Sequence, residues 1–313
     1  MNTRVSLRQS SRRGVTMLEV LVVIGVVGLL ASLLLPAVMT SRATSQRLQC
    51  VNNLKQIALA SQNFESVRGH LPGASLSPLD DLLPYLEQPN LKTEFFSTPI
   101  PPRLLLPVIL CPASDILPYE SAPVHYLVNH GTDLSWKNGL VSLRPDNPLR
   151  SRDVTDGLSM TAYFSERPQA FHYEPLRPNG AEEFEAACRR DPIRCVWHLK
   201  GSYSVDAPEA FASACRDAGQ RTGLFPAVSS GYFQLFVVPQ ATYGHFLPPN
   251  TPGCYFEDPN FPAAHTYTAW SRHAGGVNVA LCDGSARFVS NAISLASWQA
   301  LGTRNGNDHV DAF

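Results

Sequence analysis

Charge is scarce in this 313-residue chain, and the two signs nearly balance. Only 16% of the residues are charged, with 25 Lys and Arg against 26 Asp and Glu, so the formal net charge is −1 with His neutral. This balance excludes a strongly basic protein that binds nucleic acid through bulk charge. A hydrophobic content of 44% excludes intrinsic disorder and, at this length, allows a sizeable core in one large domain or two small ones.

Signatures of catalysis are also missing from the sequence. No nucleophile with its base is visible, and neither Gly275-Gly276 nor the pair Gly25 and Gly28 has the lysine and the strand-to-helix context that phosphate binding needs. We therefore expect a protein that is not an enzyme, with no catalytic residue and no cofactor. Gly25, Gly28 and Ala31 are instead spaced as small residues are where membrane helices approach closely, and the alternative is that they are ordinary small residues of a membrane helix.

The first forty residues separate charge from apolar side chains. From Met1 to Gly14 every ionisable side chain is an arginine, and from Val20 to Met39 no residue is charged. Twenty helical residues cover about 30 Å, which is the thickness of a bilayer core. The positive-inside rule places the arginine end in the cytoplasm and the chain after about Thr40 outside it. A cleavable secretory signal and a plain membrane anchor are the alternatives.

Glu19 lies one residue inside the apolar block, where an unpaired carboxylate costs a few kcal/mol on insertion scales. If the chain were cut after Gly14, Val15 would carry a new α-amino group one helical turn from Glu19. That positive charge would offset the carboxylate in a medium of low dielectric constant.

The stretch Arg12-Arg13-Gly14-Val15-Thr16-Met17-Leu18-Glu19 resembles the class III signal of type IV prepilins and type II secretion pseudopilins. In those proteins a prepilin peptidase cuts after the Gly that ends a basic leader, and Glu is the fifth mature residue. The resemblance implies processing between Gly14 and Val15, an assembly role for Glu19, and a helix-kinking proline at Pro36. Val15 stands where Phe is usual, a departure that bears on N-methylation but not on cleavage.

Past Thr40 the apolar residues become periodic, at spacings of three and four, which predicts an amphipathic helix. Its apolar face is Leu48, Val51, Leu54, Ile57, Ala58, Phe64 and Val67, and its polar face is Arg42, Arg47, Gln49, Asn53, Lys55 and Gln62. Gly69 and Pro72 supply a stop. The pattern therefore predicts one helix over Val15–Val67 and an α+β, pilin-like fold. In that fold a long N-terminal helix, membrane-spanning in its first half, packs on the antiparallel sheet of a globular head.

Strands are predicted at Val124–Val128, Leu140–Leu143, Thr161–Phe164 and Tyr232–Val238. A hairpin is predicted over Val277–Val289, where Asp283-Gly284 favours a primed two-residue turn. In that register Val279 faces Phe288 and Leu281 faces Ala286.

The spacing of His273, nine further residues and Asp283-Gly284 resembles the C-terminal signature of a large bacterial family of unknown function whose members also begin with a prepilin signal. Further blocks similar to that family are Cys50–Ile57, Leu82–Gln88, Cys111-Pro112 and Asp153–Ser159. Met160 stands where Asn is expected. The resemblance leaves out residues 167–262, which we interpret as a variable insertion. It implies a leader over 1–14, a transmembrane helix over 15–39, an amphipathic helix over 40–68 and an extracytoplasmic head over 69–313.

Seven cysteines in an extracytoplasmic domain allow three disulfides and leave one thiol. Because Cys50 and Cys111 lie in family-like blocks, the resemblance suggests that they pair. The four cysteines of the insertion would then pair among themselves: Cys188, Cys195, Cys215 and Cys254. No metal is expected, since Cys188, Cys195 and His198 match no zinc spacing.

For the His273 and Asp283-Gly284 motif we favour structural roles over chemistry. Asp283 and Gly284 suit the central positions of a turn, and His273 is expected to hydrogen-bond a neighbouring loop backbone. A calcium ion is the alternative, because related pseudopilins bind calcium in C-terminal loops.

The sequence thus predicts a non-enzymatic pilin-like or pseudopilin-like subunit of the bacterial inner membrane, with a cytoplasmic N-terminus and a periplasmic or extracellular head. Its expected partners are the membrane, a prepilin peptidase, other pilin-like subunits and a secretion or pilus assembly machinery, and not nucleic acid. The alternative is a membrane-tethered domain whose insertion binds a solute, a polysaccharide or a protein. A tethered hydrolase is a third and weaker interpretation.

Overall fold

The computed structural model describes residues 16–72, 78–86, 105–116, 123–135, 137–141, 148–169, 180–201, 203, 208–225, 242–256 and 265–307. The chain divides into two compact units, Met1–Ser45 and Gln46–Phe313. The predicted strand Tyr232–Val238 and residues 142 and 143 lie outside the described residues.

Helix α1 comprises Met17–Arg68, which confirms the predicted long helix. It ends where Gly69 adopts a φ of +76°, a left-handed conformation that glycine takes without steric cost. The Gly69 N–H donates to the carbonyl of Glu65 at 2.7 Å and so satisfies one carbonyl of the last turn. Pro36 lies inside the helix, and because proline has no N–H it removes one backbone hydrogen bond there.

The other helices are short. They are α2 (Pro78–Leu82), α3 (Gly180–Arg190), α4 (Pro208–Arg216) and α5 (Leu295–Gly302). Helix α5 begins after Ser294, whose hydroxyl accepts a hydrogen bond from the Ser297 N–H at 3.0 Å, as an N-cap does. Single 3₁₀ turns lie at Leu83–Tyr85, Pro107–Ile109, Ser151–Asp153, Pro192–Arg194 and Ala218–Gln220.

Nine strands form two sheets within the described residues. They are β1 (Tyr126–Asn129), β2 (Ala162–Glu166), β3 (Val196–Leu199), β4 (Arg221–Phe225), β5 (Thr242–Tyr243), β6 (Gly253–Tyr255), β7 (His265–Thr266), β8 (Gly276–Leu281) and β9 (Ala286–Ser290). The predicted strands at Val124–Val128 and Thr161–Phe164 correspond to β1 and β2. Leu140 and Val141 are not in a strand, so that prediction is wrong for these two residues.

The first sheet has the order β5-β1-β2-β8-β9. Its β1–β2, β2–β8 and β8–β9 pairs are antiparallel, whereas β1 and β5 are parallel. The predicted α+β layout of a long helix and a head with sheets is confirmed, but the sheet is mixed and not antiparallel throughout. The physical reason is that β5 returns to the sheet from within residues 167–262, through a connection long enough to permit parallel pairing.

The second sheet has the order β4-β3-β6-β7 and is also mixed, since β3 and β6 pair in parallel. Three of its four strands come from residues 167–262. It has a hydrophobic cluster of its own, centred on Phe211, Phe246 and Phe256. Residues 167–262 thus build a second layer of structure on the unit and contribute β5 to the first sheet.

The outer part of α1 packs into the main hydrophobic core with the first sheet. Its buried residues are Cys50, Asn53, Leu54, Ile57, Ala58, Ala60, Ser61 and Phe64. This stripe differs from the predicted apolar face, because Leu48 and Val67 are exposed and Asn53 is buried. Asn53 is accommodated because its Nδ2 donates to the carbonyls of Pro107 and Leu110, both at 3.0 Å, so its polar group is paired.

Candidate functional site

The first half of α1 exposes its apolar side chains. From Met17 to Met39, leucines, valines and Ile24 have about half or more of their surface exposed, as at Leu18 (74%) and Leu33 (68%). Among the described residues, α1 is the helix that is long and apolar enough to span a membrane. Leaving so much contiguous apolar surface in water is unfavourable, so this half of the helix requires an apolar surrounding.

Glu19 forms hydrogen bonds that cap the N-terminus of this helix. Its carboxylate Oε2 accepts hydrogen bonds from the backbone N–H of Thr16 at 2.8 Å and from the Thr16 hydroxyl at 2.9 Å. In return, the Glu19 N–H donates to Thr16 Oγ1 at 3.4 Å. This is a capping box, which pairs N–H groups that the first turn of a helix leaves free.

The sequence contains the signal for this cap, Thr16-x-x-Glu19 before an apolar run, but the cap was not predicted. Gly14 and Val15 lie outside the described residues. Pro36 is described: its carbonyl and that of Ala37 accept hydrogen bonds from the Thr40 hydroxyl, at 3.2 and 2.9 Å.

The predicted hairpin is confirmed, with β8 and β9 antiparallel, but its register differs by one residue. Val279 lies opposite Arg287 and Ala280 lies opposite Ala286, where the sequence analysis placed Phe288 and Arg287. The turn is therefore not the primed two-residue type. The Gly284 N–H donates to the carbonyl of Leu281 at 3.1 Å, and the Leu281 N–H donates to the carbonyl of Ser285 at 2.8 Å.

This bonding pattern is that of a type I turn followed by a bulge at a left-handed glycine. Gly284 has a φ of +87°. Asp283 does not take a positive φ, and its Oδ1 instead accepts from the N–H and hydroxyl of Ser285, at 2.9 and 2.6 Å. A bulge inserts one residue into one strand, which explains the shifted register.

The turn is a meeting point of three segments. The N–H groups of Cys282 and Asp283 donate to the carbonyls of Thr161 and Leu158, both at 3.0 Å. From α1, the Gln62 amide lies 3.5 Å from the Cys282 carbonyl. Asp283-Gly284 therefore joins the hairpin to the helix and to the Asp153–Ser159 block.

In that block, Asp156 organises the chain that follows α5. Its Oδ2 accepts from the Gly306 N–H at 2.7 Å and from the Thr303 hydroxyl at 3.0 Å, and its Oδ1 accepts from the Asn307 N–H at 2.9 Å. Asn307 has a φ of +54°, and these hydrogen bonds hold the backbone in that conformation.

His273 lies away from Asp283, because the two residues flank opposite ends of β8. Within the described part of the chain its ring has no hydrogen bond to a loop carbonyl, which was the expected partner. Its Nε2 lies 3.3 Å from Oε1 of Glu166 and 3.7 Å from Sγ of Cys111. Glu166, the last residue of β2, was not singled out in the sequence, since one Glu at the end of a strand carries no recognisable spacing.

Glu166 is a buried carboxylate, with 2% of its side chain exposed. Besides His273 it contacts Asn278, whose N–H donates to Oε2 at 2.9 Å and whose Nδ2 donates to Oε1 at 2.8 Å. Cys111 and Cys50 form a disulfide beside it, the pairing that the family resemblance suggested. The donor atoms of Cys50, Cys111, Glu166 and His273 all lie within 4.8 Å of one another.

A family described as a protein of unknown function, DUF1559, matches residues 39–296 of this chain. The chain belongs to the DUF1559 family. The match includes residues 167–262 and the whole motif from His273 to Gly284, and it begins after the stretch that resembles a prepilin signal. No curated protein and no solved structure matches the chain.

This DUF1559 protein has two more disulfides, Cys188–Cys195 and Cys215–Cys254. Both lie in the layer built by residues 167–262. Cys282 is the remaining thiol and is buried. Burial raises its pKa far above the ordinary value for a thiol, so Cys282 is protonated and unreactive at neutral pH.

Proposed function

We propose that this DUF1559 protein is a pilin-like or pseudopilin-like, non-enzymatic protein of the bacterial inner membrane. A prepilin peptidase cuts it after Gly14, and the mature chain assembles with other pilin-like subunits on a secretion or pilus machinery. Residues 15–39 anchor it in the membrane, and the unit that follows lies on the periplasmic side.

The observation that carries this proposal is the exposed apolar surface of α1 between Met17 and Met39, with one carboxylate at its start. Such a surface is satisfied by lipid before assembly and by neighbouring apolar helices after it. The DUF1559 match covers residues 39–296, and the description of that family names no activity.

Glu19 supports the assembly step. Its Oε2 caps the helix, while within the described residues its Oε1 has no hydrogen-bond partner. The α-amino group of Val15 on a neighbouring mature subunit would fit Oε1 and neutralise the charge in an apolar medium. The carboxylate would then serve both its own helix and the register of the next subunit.

Intact-mass analysis of membrane-extracted protein, with and without the host's prepilin peptidase, tests the processing step. We expect a mature chain that begins at Val15 only when the peptidase is present. A chain that keeps Arg12-Arg13 in both strains would contradict processing and leave an ordinary membrane anchor.

Two substitutions separate the assembly role of Glu19 from its capping role. Glu19→Gln keeps an N3 side chain that caps a helix start but removes the charge, whereas Thr16→Ala removes the cap and keeps the charge. We expect E19Q to abolish fibres and T16A to permit them, with both proteins inserted in the membrane. The reverse pattern, or normal fibres from E19Q, would contradict the assembly role.

A second function, binding of a solute, polysaccharide or protein by a tethered domain, is favoured by the layer that residues 167–262 build. This layer has its own sheet and hydrophobic cluster and two disulfides, which is more structure than an anchor or a fibre stalk requires. At the start of this layer the buried Arg167 donates to the carbonyl of Ile193 within it and to that of Thr268 outside it, both at 3.0 Å.

Thermal unfolding of the full chain with panels of soluble polysaccharides and small solutes tests this second function. A saturable rise in Tm that is equal in wild type and E19Q would support binding independent of assembly. An unchanged Tm across both panels, with fibres formed by wild type, would favour the fibre subunit.

A further inference from the structure

The buried cluster of Cys50, Cys111, Glu166 and His273 supplies two sulfurs, a carboxylate and an imidazole from four separate segments. Cys50 lies on α1, Cys111 follows the 3₁₀ turn Pro107–Ile109, Glu166 ends β2 and His273 precedes β8. We propose that these residues form a binding site for Zn²⁺ or a similar transition metal when the disulfide is reduced. Cys50 and Cys111 are then linked either directly by the disulfide or through a shared metal ion.

The distances support tetrahedral coordination. Cys111 Sγ, Glu166 Oε1 and His273 Nε2 are separated by 3.8, 3.7 and 3.3 Å. Ligands of a tetrahedral Zn²⁺ with ordinary bond lengths are about 3.3–3.8 Å apart, the N···O pair being the closest and the S···S pair the widest. Three donors therefore already have the mutual separations of ligands on one tetrahedral ion. Cys50 Sγ, which lies within 4.8 Å of the other donors, would supply the fourth ligand once it separates from Cys111 Sγ.

The donor set suits zinc. Two thiolates with an imidazole and a carboxylate are ligands of a borderline-soft metal, whereas Ca²⁺ and Mg²⁺ prefer oxygen alone. Asn278 completes the arrangement, because its Nδ2 donates to Glu166 Oε1 and its N–H donates to Oε2. Such partners hold a ligating carboxylate in orientation.

The site changes state by a balanced exchange. A dithiol reductant gives two electrons and two protons to the Cys50–Cys111 bond, which breaks into two thiols while the reductant becomes a disulfide. Zn²⁺ then binds the two sulfurs and displaces the two thiol protons. Because Cys50 is 0% and Glu166 2% exposed, the metal enters as the reduced chain folds and is then enclosed.

Refolding of the full chain in detergent, reduced and with Co²⁺ as the probe, tests the proposal. We expect the visible absorption of a tetrahedral cobalt thiolate at one ion per chain, displaced by Zn²⁺. His273→Gln and Glu166→Gln should weaken Co²⁺ binding by at least about tenfold, and Asn278→Ala by about 10–100-fold. The matched control Asp283→Asn, which alters the other half of the same motif, should bind as wild type does.

Alkylation of wild type followed by mass spectrometry gives a measurement that does not depend on any variant folding. In the reduced chain, Zn²⁺ should protect Cys50 and Cys111 from alkylation, and removing the metal with a chelator should abolish that protection. Absence of the cobalt bands, no Zn²⁺-dependent protection of Cys50 and Cys111, or binding unchanged in H273Q would overturn the proposal. A reduced chain that stays unfolded with Zn²⁺ would overturn it as well.

Discussion

The two halves of α1 belong to one helix but differ in the exposure of their apolar side chains. From Met17 to Ser45 the helix shows large apolar side chains outward, whereas from Gln46 to Arg68 it buries a stripe that includes Cys50, Leu54, Ile57 and Phe64. The first half is uniformly apolar and has no protein partner among the described residues of its own unit. The second half is less apolar, but it packs against the first sheet in the main hydrophobic core. Apolar content alone thus does not decide burial: what matters is whether the side chains converge on one stripe that a partner surface can cover.

The largest effect is expected where the second half is most buried. Ile57→Ala should lower the free energy of unfolding by about 2–5 kcal/mol, because Ile57 is 0% exposed and truncation leaves a cavity in the main core. The matched control is Leu59→Ala two residues away, since Leu59 is 55% exposed and should change stability by less than about 0.5 kcal/mol. Urea unfolding of the full chain in detergent measures both. Equal losses would contradict the assigned helix face.

Acidification should destabilise the second unit and leave the first half of α1 untouched, since residues 1–45 contain no histidine. Burial lowers the pKa of His245 to about 3 and that of His125 to about 4. Both values lie below the unfolded value of 6.5, so the unfolded chain binds more protons below that pH. Stability is therefore full above pH 6.5 and falls as the pH decreases toward the folded pKa values.

Between pH 7 and pH 5 we expect this to cost about 2–4 kcal/mol in total for the two histidines. Urea midpoints at the two pH values measure the loss. His245→Gln should flatten the dependence, although it also loses the stacking of His245 on Trp298 at 4.0 Å. A wild-type midpoint that is constant over this range would contradict the buried neutral state.

The contact between the second half of α1 and the hairpin turn can be tested at Gly284. Gly284→Ala should cost about 1–2 kcal/mol for the left-handed backbone and somewhat more for crowding, because a Cβ there would lie 2.9 Å from Gln62 Nε2. Gly275→Ala is the matched control, with a φ of +84° and nothing within 4 Å of its Cβ. Thermal unfolding should rank G284A below G275A, and Gln62→Ala should remove the difference. Identical melting of G284A and wild type would refute the turn assignment.

The smallest effect is expected in the first half of the helix. Leu33 is 68% exposed, so Leu33→Ala should alter the unfolding of the second unit by less than about 0.5 kcal/mol. A loss comparable with that of I57A would show that the first half has a protein partner in the isolated chain.

Several features were predictable because their signals are local. The long helix, its stop at Gly69, strands β1 and β2 and the β8–β9 hairpin follow from hydrophobic period and glycine placement. The apolar face of α1 was placed too widely, since Leu48 and Val67 are exposed and Asn53 is buried. Periodicity shows that a helix has a face, but the depth of each residue depends on the surface opposite, here the carbonyls that receive the Asn53 amide.

The candidate site was predictable only in part. His273, Asp283 and Gly284 stood out by spacing, but the pattern did not show that His273 faces Glu166 or that the turn shifts the hairpin register. The turn also donates hydrogen bonds to the carbonyls of Thr161 and Leu158, and these contacts are not encoded in the Asp-Gly pair itself.

By itself the sequence determined the apolar segment at the start of α1, the end of that helix and the α+β class, because charge, hydrophobic period and glycine act over a few residues. Only the tertiary structure decided the mixed pairing of the sheets, the second layer from residues 167–262 and the meeting of Cys111 with His273, 162 residues apart along the chain. Such contacts depend on how distant segments close on one core, and no local pattern carries that information.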